Sequence, residues 1–394
     1  MNDPELFIDD DDRYSRLRLI AWWEQERLAA ARVLVVGAGA LGNEVLKNLA
    51  LLGIGAVHVV DFDRIENSNL TRSVLFRARD MGRSKAEAAA EALRDMNPDT
   101  VVHPLDANII TDIGLGLFRD VDVVIGCLDN REARLWVNRC CWKVGTPWID
   151  GGIQEINGVA KVFVPPGSAC YECAMTEMDY RLINLRYSCP LLRQEDIQAG
   201  KVPTAPTISS MIAGLQTQEA LKLIHGMPVA AGEAMVYNGI ANQFYRTKYQ
   251  RKEDCLSHEV YEEIVAAPLS CNSTAEQLFD WVDGQPDGQA GGAECLELDR
   301  DLVVRVECRA CGAGREVMRA AATVGSSEAN CRECGEPGAP VFEHRVARHS
   351  ELAGRALREL GVPAYDVVRV TTGNGTKHIL LHADREAVLG GEQP

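Results

Sequence analysis

Three features of this 394-residue sequence predict an α/β protein with a mostly parallel sheet and a smaller α+β domain behind it. Short β-branched runs alternate with helix-period segments from Arg32 onward. A glycine-rich turn, Gly37-Ala38-Gly39-Ala40-Leu41-Gly42, joins the first such run to the helix after it. Two close cysteine pairs, Cys308/Cys311 and Cys331/Cys334, mark a separate ribbon towards the C-terminus. Strands alternating with helices imply parallel strands covered on both faces.

The elements follow in chain order. Arg13-Tyr14-Ser15-Arg16 leads through Leu17, Leu19, Ile20, Trp22 and Trp23 into a predicted helix. Arg32–Val36 is a buried strand, because a β-branched run without alternation suits a strand covered on both sides. A helix over 41–52 and a strand over 57–60 come next, then a helix over 84–96 and strands over 101–105 and 121–127. Cys140 and Cys141 fall within a helix, and a strand over 159–164 closes at Pro165-Pro166. From Cys170 to Pro206 the periodicity breaks, and a loop of that length inside a compact domain is usually functional. A helix over about 207–225 and a strand over 243–250 restore regularity. A boundary is expected near Glu259, giving domains 1–258 and 259–394, with a linker-like stretch at 285–292. Beyond it come a strand over 302–307, the cysteine pairs and a helix over about 346–360. A hairpin then pairs 366–370 with 377–382 around Gly373-Asn374-Gly375. There are no internal repeats.

Composition narrows the partners. Forty-one basic against 57 acidic residues give a net charge of −16, which disfavours nucleic acid and anionic membrane as partners. No apolar run approaches the ~18 residues of a membrane span. The acidic residues at 9–12 read as a solvated tail, and the first twelve residues carry no apolar core of a signal peptide. Thirteen cysteines, an odd count with six in C-x-x-C pairs, suit metal sites in a reducing cytoplasm rather than a disulfide framework.

The glycine turn carries the first chemical signal. Between a strand and a helix, G-x-G-x-x-G permits a tight turn and close approach of the backbone to phosphate at a helix N-terminus. Asp61, at the end of the second strand, can accept ribose hydroxyls. A nicotinamide-dependent oxidoreductase would share these features. It would leave unexplained Arg72, Lys85 and Asp129, two cations and a carboxylate at strand ends that suit a magnesium triphosphate.

As a set these motifs resemble the ThiF/MoeB and ubiquitin-activating enzyme family over about residues 13–258. The resemblance rests on R-Y-x-R (Arg13 to Arg16), V-x-G-x-G-x-L-G, D-x-D-x-(I/V)-x-x-S-N-L-x-R (Asp61 to Arg72), G-x-x-K (Gly82 to Lys85) and D-N-x-x-x-R (Asp129 to Arg134). It departs at Ser73, where the family usually places Gln. The resemblance implies a Rossmann-like adenylation domain that binds ATP through Gly37, Gly39, Gly42, Asp61 and Asp63. Asp61 would hold the ribose; Asn69, Arg72 and Lys85 the phosphates; Asp129 a magnesium ion. Arg16 would reach the triphosphate of a neighbouring subunit in a homodimer. The substrate implied is the C-terminal glycine carboxylate of a ubiquitin-like, β-grasp protein.

The cysteines divide by role. Cys308, Cys311, Cys331 and Cys334 form a zinc ribbon by spacing, a closed tetrahedral shell with no open position for catalysis. Cys170 and Cys173 need two more ligands; Cys255 and His258 supply them at a place where family members often carry a second pair. Cys271 and Cys295 are rival fourth ligands. Cys127, Cys140 and Cys141 read as packing residues. Cys189 lies in the irregular stretch near Arg181, Arg186 and Arg193. The family's crossover segment, here about 174–206, carries the cysteine that accepts the activated protein, which implies a thioester on Cys189. By analogy the C-terminal domain would bind a conjugating enzyme. The alternatives are adenylation of a sulfur carrier for sulfur transfer, disfavoured by the lack of a rhodanese-like loop, and a non-catalytic partner subunit, which would not need every phosphate residue.

Overall fold

The computed structural model describes residues 12–181, 203–286 and 291–390. They fall into two compact units: residues 12–106, 120–174 and 203–258 in the first, and 107–119, 175–181, 259–286 and 291–390 in the second. No helix among the described residues is long and apolar enough to cross a membrane.

The first unit opens with α1 (Gln25–Ala30) and β1 (Arg32–Val36), followed by α2 (Ala40–Leu52), β2 (Ala56–Val60), α3 (Lys85–Met96) and β3 (Val101–Leu105). After α4 (Leu115–Arg119), which belongs to the second unit, come β4 (Val123–Gly126), α5 (Arg131–Val144), β5 (Trp148–Gln154) and β6 (Asn157–Phe163). The unit closes with α6 (Pro206–Ile224), β7 (Glu233–Asn238) and β8 (Gln243–Lys248). The sheet order is β3-β2-β1-β4-β5-β6-β7-β8. Its first five strands are parallel and the last three antiparallel. Strand order reverses between β1 and β4, and the carboxyl edge at such a switch point is where open α/β sheets bind ligands. Val33, Val35, Val57, Val59, Ile125 and Ile149 are fully buried in the sheet's core, against Val45 and Leu46 of α2 and Ile212 of α6. Burial on both faces explains why these strands read as continuous apolar runs.

In the first unit the sequence reading fails at one expected element and at two unread strands. Residues 13–23 do not form a helix: a 3-10 turn at Leu17–Leu19 is followed only later by α1. Leu19, Ile20 and Trp22 are exposed, so the apolar residues make no buried stripe, and Trp22 and Trp23 instead meet the His225 ring at 5.3 and 5.6 Å. Strands β5 and β7 escaped the sequence reading; Asp150-Gly151-Gly152 interrupts the β-branched pattern in β5.

The second unit contains β9 (Ile264–Ala267), α7 (Ala275–Asp283), the long β10 (Ala293–Glu307), β11 (Gly314–Ala320), β12 (Ala339–Ala347), β13 (Val367–Thr372), β14 (Gly375–Leu381) and α8 (Arg385–Leu389). Its sheet runs β11-β10-β13-β14-β9, with β12 also on β10. The β13–β14 hairpin matches the sequence reading. Segment 107–119 is built in: Arg300 donates to the carbonyls of Ile110 and Ile113 at 2.6 and 2.9 Å while pairing with buried Asp366 at 2.8 Å. The helix expected over 346–360 is absent. Val346 pairs with Leu296 in the sheet, and two 3-10 turns follow at Glu351–Gly354 and Leu357–Leu360. Backbone N–H groups there bond outward, Leu357 to Ser273 and Arg358 to Cys271, both at 2.8 Å, rather than one helical turn back.

Candidate nucleotide site and metal centres

β1 ends at Val36 and the chain turns at Gly37 with a φ of +97°. A Cβ there would lie 2.5 Å from the Cys127 carbonyl oxygen, and one on Gly42 would lie 1.9 Å from the Gly37 oxygen, so both positions exclude a side chain. Gly39 differs: a Cβ would meet nothing within 4 Å, and the residue serves as N-cap of α2 on the open side of the turn.

Asp61 follows β2 and grips this turn. Its Oδ2 accepts from the Ala38 N–H at 2.7 Å and its Oδ1 from the Asp63 N–H at 2.8 Å. Burial pushes its carboxyl above the ordinary range, opposed by Lys85 and by those two N–H groups. Lys85, first residue of α3, is buried, with Nζ 2.8 Å from Asp63 Oδ2. A 3-10 turn at Asn67–Asn69 is fastened by Asn69 Oδ1, which accepts from the Glu66 N–H at 2.9 Å, and the Arg72 N–H donates to the Asn69 carbonyl at 3.0 Å. The half-buried Arg72 guanidinium has no ion-pair partner among the described residues.

Across the switch point, the Cys127 N–H donates to Val36 at 2.8 Å, which sets the β4 end beside the glycine turn. Asp129 follows two residues later, exposed. An exposed carboxylate at this edge is a hard oxygen donor of the kind magnesium takes. On the neighbouring strand β5 lies a cluster that the sequence reading missed. Asp150 is fully buried, 2.9 Å from Arg134 Nε and 3.0 Å from Lys161 Nζ. Arg134 also donates to the carbonyls of Leu128 and Gly151 at 2.6 and 3.0 Å, so the last residue of the D-N-x-x-x-R motif is an internal clamp rather than a surface charge. Asp150 gave no signal because it sits among glycines in a strand that itself went unread.

Arg16 is exposed in a segment moored by Arg13 and Tyr14, which bond the Asn97 side chain at 2.6 and 2.8 Å. Cys189, Arg186 and Arg193 lie outside the described residues, and Arg181 is exposed 3.8 Å from Glu177.

Both cysteine groups are assembled, each with ligand atoms within 4.8 Å of one another: Cys170, Cys173, Cys255 and His258, and Cys308, Cys311, Cys331 and Cys334. In the first, Cys170 Sγ lies 3.5 Å from Cys255 Sγ, and His258 Nε2 lies 3.4 Å from Cys173 Sγ. Trp142 stacks on the His258 ring with centroids 5.1 Å apart. Glu172, buried between the two cysteines of its loop, accepts from Arg139 at 2.8 Å and from the Ser257 hydroxyl of the opposite loop. Cys271 and Cys295 are engaged elsewhere, the first through its N–H to Asp384 and the second through its thiol to Glu297. In the ribbon, the two knuckles repeat one geometry: the Gly312 and Gly335 N–H groups return to Cys308 and Cys331 at 2.9 and 3.0 Å, with φ of +75° and +77°. The Cys308 thiol is drawn down to about 7, chiefly by the Cys311 backbone N–H. Three thiolates with imidazole, and four thiolates, are donor sets that fit zinc.

Comparison with known proteins places the first unit. The ThiF family pattern matches residues 12–257, more than half of the chain. The SAMP-activating enzyme E1 of Haloferax volcanii is 32% identical over 62% of this chain and 87% of its own length. The molybdopterin-synthase adenylyltransferase of Salmonella typhimurium is 32% identical over 62% of this chain and 94% of its own length. Among solved structures, E. coli MccB with ATP superposes with a TM-score of 0.53 at 25% identity, covering 65% of this chain and 76% of that one.

Proposed function

The chain belongs to the ThiF family, and from that premise we propose that it activates a ubiquitin-like protein by adenylation followed by thioester transfer to Cys189. The activity that this membership carries is that of an E1-like adenylyltransferase, which uses ATP to adenylate a ubiquitin-like or sulfur-carrier protein. The observation that carries the reading is the grouping of Lys85, Asp63, Asp61 and the Arg72 segment around the glycine turn, with Asp129 across the switch point.

In this reading the partner's C-terminal carboxylate oxygen attacks the α-phosphorus. A new P–O bond forms as the bond to pyrophosphate breaks. The chain supplies little covalent chemistry here; it positions the reactants and stabilises charge. The glycine turn offers backbone N–H groups, Asp61 orients the ribose, and Asn69, Arg72 and Lys85 meet the phosphates. Asp129 would hold magnesium, which supplies charge neutralisation on the polyphosphate. Arg16 completes the site of a second subunit in a homodimer. The Cys189 thiolate then attacks the acyl-adenylate carbonyl and expels AMP. Domain 259–394, which carries the four-cysteine ribbon, would bind the conjugating enzyme that receives the thioester.

The second reading ends in sulfur transfer after the same adenylation, supported by the similarity to a molybdopterin-synthase adenylyltransferase. One experiment separates the two. The chain is incubated with Mg-ATP and a β-grasp protein ending in glycine. An adduct on the chain cleaved by thiol supports the proposal; a thiocarboxylate on the β-grasp protein, formed only with a sulfur donor and without such an adduct, favours the alternative.

A further inference from the structure

α2 carries a polar side chain where its buried face meets the glycine turn. Asn43 is fully buried and bonded at both ends of its amide. Its Nδ2 donates to the Ala38 carbonyl at 2.7 Å and the Gly39 carbonyl at 3.1 Å, while its Oδ1 accepts from the Leu75 N–H at 2.8 Å. Only an amide combines a donating and an accepting end in a side chain of this shape. The Ala38 residue is thereby held from both sides, its N–H on Asp61 and its carbonyl on Asn43. Leu75 lies three residues after Arg72, in the segment whose turn is fastened by Asn69.

We propose that Asn43 is a positioning residue of the nucleotide site, fixing the separation between the glycine turn and the Arg72 segment so that both engage one polyphosphate. This inference rests on the reading of the site as an ATP site. A catalytic arrangement misplaced by about 1 Å loses much of its advantage, and a buried amide bonded at both ends resists that slippage.

The test is a calorimetric titration of the full chain with Mg-ATP. Asn43→Asp keeps the shape and the acceptor for Leu75 but sets an oxygen against the Ala38 and Gly39 carbonyls; Asn43→Ala removes both ends. Each is expected to weaken Mg-ATP binding at least about tenfold with unchanged stoichiometry and zinc content. A merely structural role would lower the stoichiometry or melting temperature and leave the Kd of the folded fraction intact. Should Asn43→Ala fail to fold, Asn43→Ser carries the same expectation. Variants that bind Mg-ATP within about twofold of wild type overturn this inference alone. A wild-type chain that does not bind Mg-ATP overturns the functional reading, and this inference with it.

Discussion

Lys85 and Asp63 form an ion pair at 2.8 Å in which the lysine side chain is only 10% exposed and the aspartate 54%. The cation is therefore fixed by the fold, while its counter-ion stands at the solvent edge. A phosphate arriving beside the glycine turn can take over the ammonium without drawing a buried charge into water, because Asp63 remains solvated when released. The pair keeps Lys85 oriented before ligand binds.

Lys85→Met should therefore lower ATP–pyrophosphate exchange by about 10²–10³-fold, the usual cost of removing one preorganised group that stabilises transition-state charge. Its effect on stability should stay at about 1 kcal/mol, because the released Asp63 is 54% exposed and remains solvated. Melting curves and exchange rates measured on one preparation check both halves. Loss of fold in Lys85→Met would show the lysine to be structural instead.

The glycine turn, the two cations and the cysteine knuckles were legible because each depends on local spacing. Gly37 and Gly42 must lack a Cβ where the turn closes on itself and on the β4 end, and Cys308 to Cys334 repeat one short knuckle. Asn43 and Asp150 were not legible, because their partners arrive from elsewhere in the chain: Leu75 for one, Arg134 and Lys161 for the other. The segment at 346–360 failed for a related reason. Its apolar residues have helical spacing, but Val346 is claimed by β10 and the Leu357 N–H by Ser273. Tertiary pairing overrides local preference where a neighbouring strand offers better partners.

Glu172 latches the two loops of the first cysteine group, accepting from Arg139 of α5 on one side and Ser257 on the other. Outer partners that orient ligands typically change metal affinity by about 10–100-fold. The purified wild-type chain should contain about two zinc ions, one for each closed ligand set. Glu172→Ala should lose the ion at Cys170, Cys173, Cys255 and His258 to a chelator well before the ribbon ion, reaching about one zinc per chain. Equal loss rates in wild type and variant would remove Glu172 from the metal centre.

Asp150 pairs with both Arg134 Nε and Lys161 Nζ inside the first unit. Breaking a buried pair by removing one partner strands the other, at a cost of about 3–5 kcal/mol. Asp150→Asn strands two cations. Adding Lys161→Met returns these three positions to their original net charge of one positive unit. Melting temperatures should then fall in the order wild type, Asp150→Asn/Lys161→Met, Asp150→Asn. A double variant less stable than the single would show that Lys161 acts through packing on the Tyr171 ring, 5.1 Å away, rather than through charge.

Adenylation and thioester formation should separate by mutation. The adenylate forms from Mg-ATP and a protein carboxylate, so under the proposed reading it would draw on Arg72, Lys85 and Asp129 and need no thiol. In the proposed sequence of steps Cys189 enters only afterwards, when its thiolate attacks the acyl-adenylate. Cys189→Ala should keep ATP–pyrophosphate exchange near the wild-type rate and lose the thiol-sensitive adduct with the β-grasp partner. Asp129→Ala should lose both, because the first step is deprived of its metal ligand and no acyl-adenylate reaches the second. The other cysteines make the test discriminating. The two metal centres would engage seven of them together with His258, and Cys127, whose thiol burial pushes far up, is a poor nucleophile at neutral pH. An adduct that persists in Cys189→Ala would move the acceptor to another cysteine, and a wild-type chain that binds NADH but shows no exchange with any β-grasp partner would end the adenylation reading.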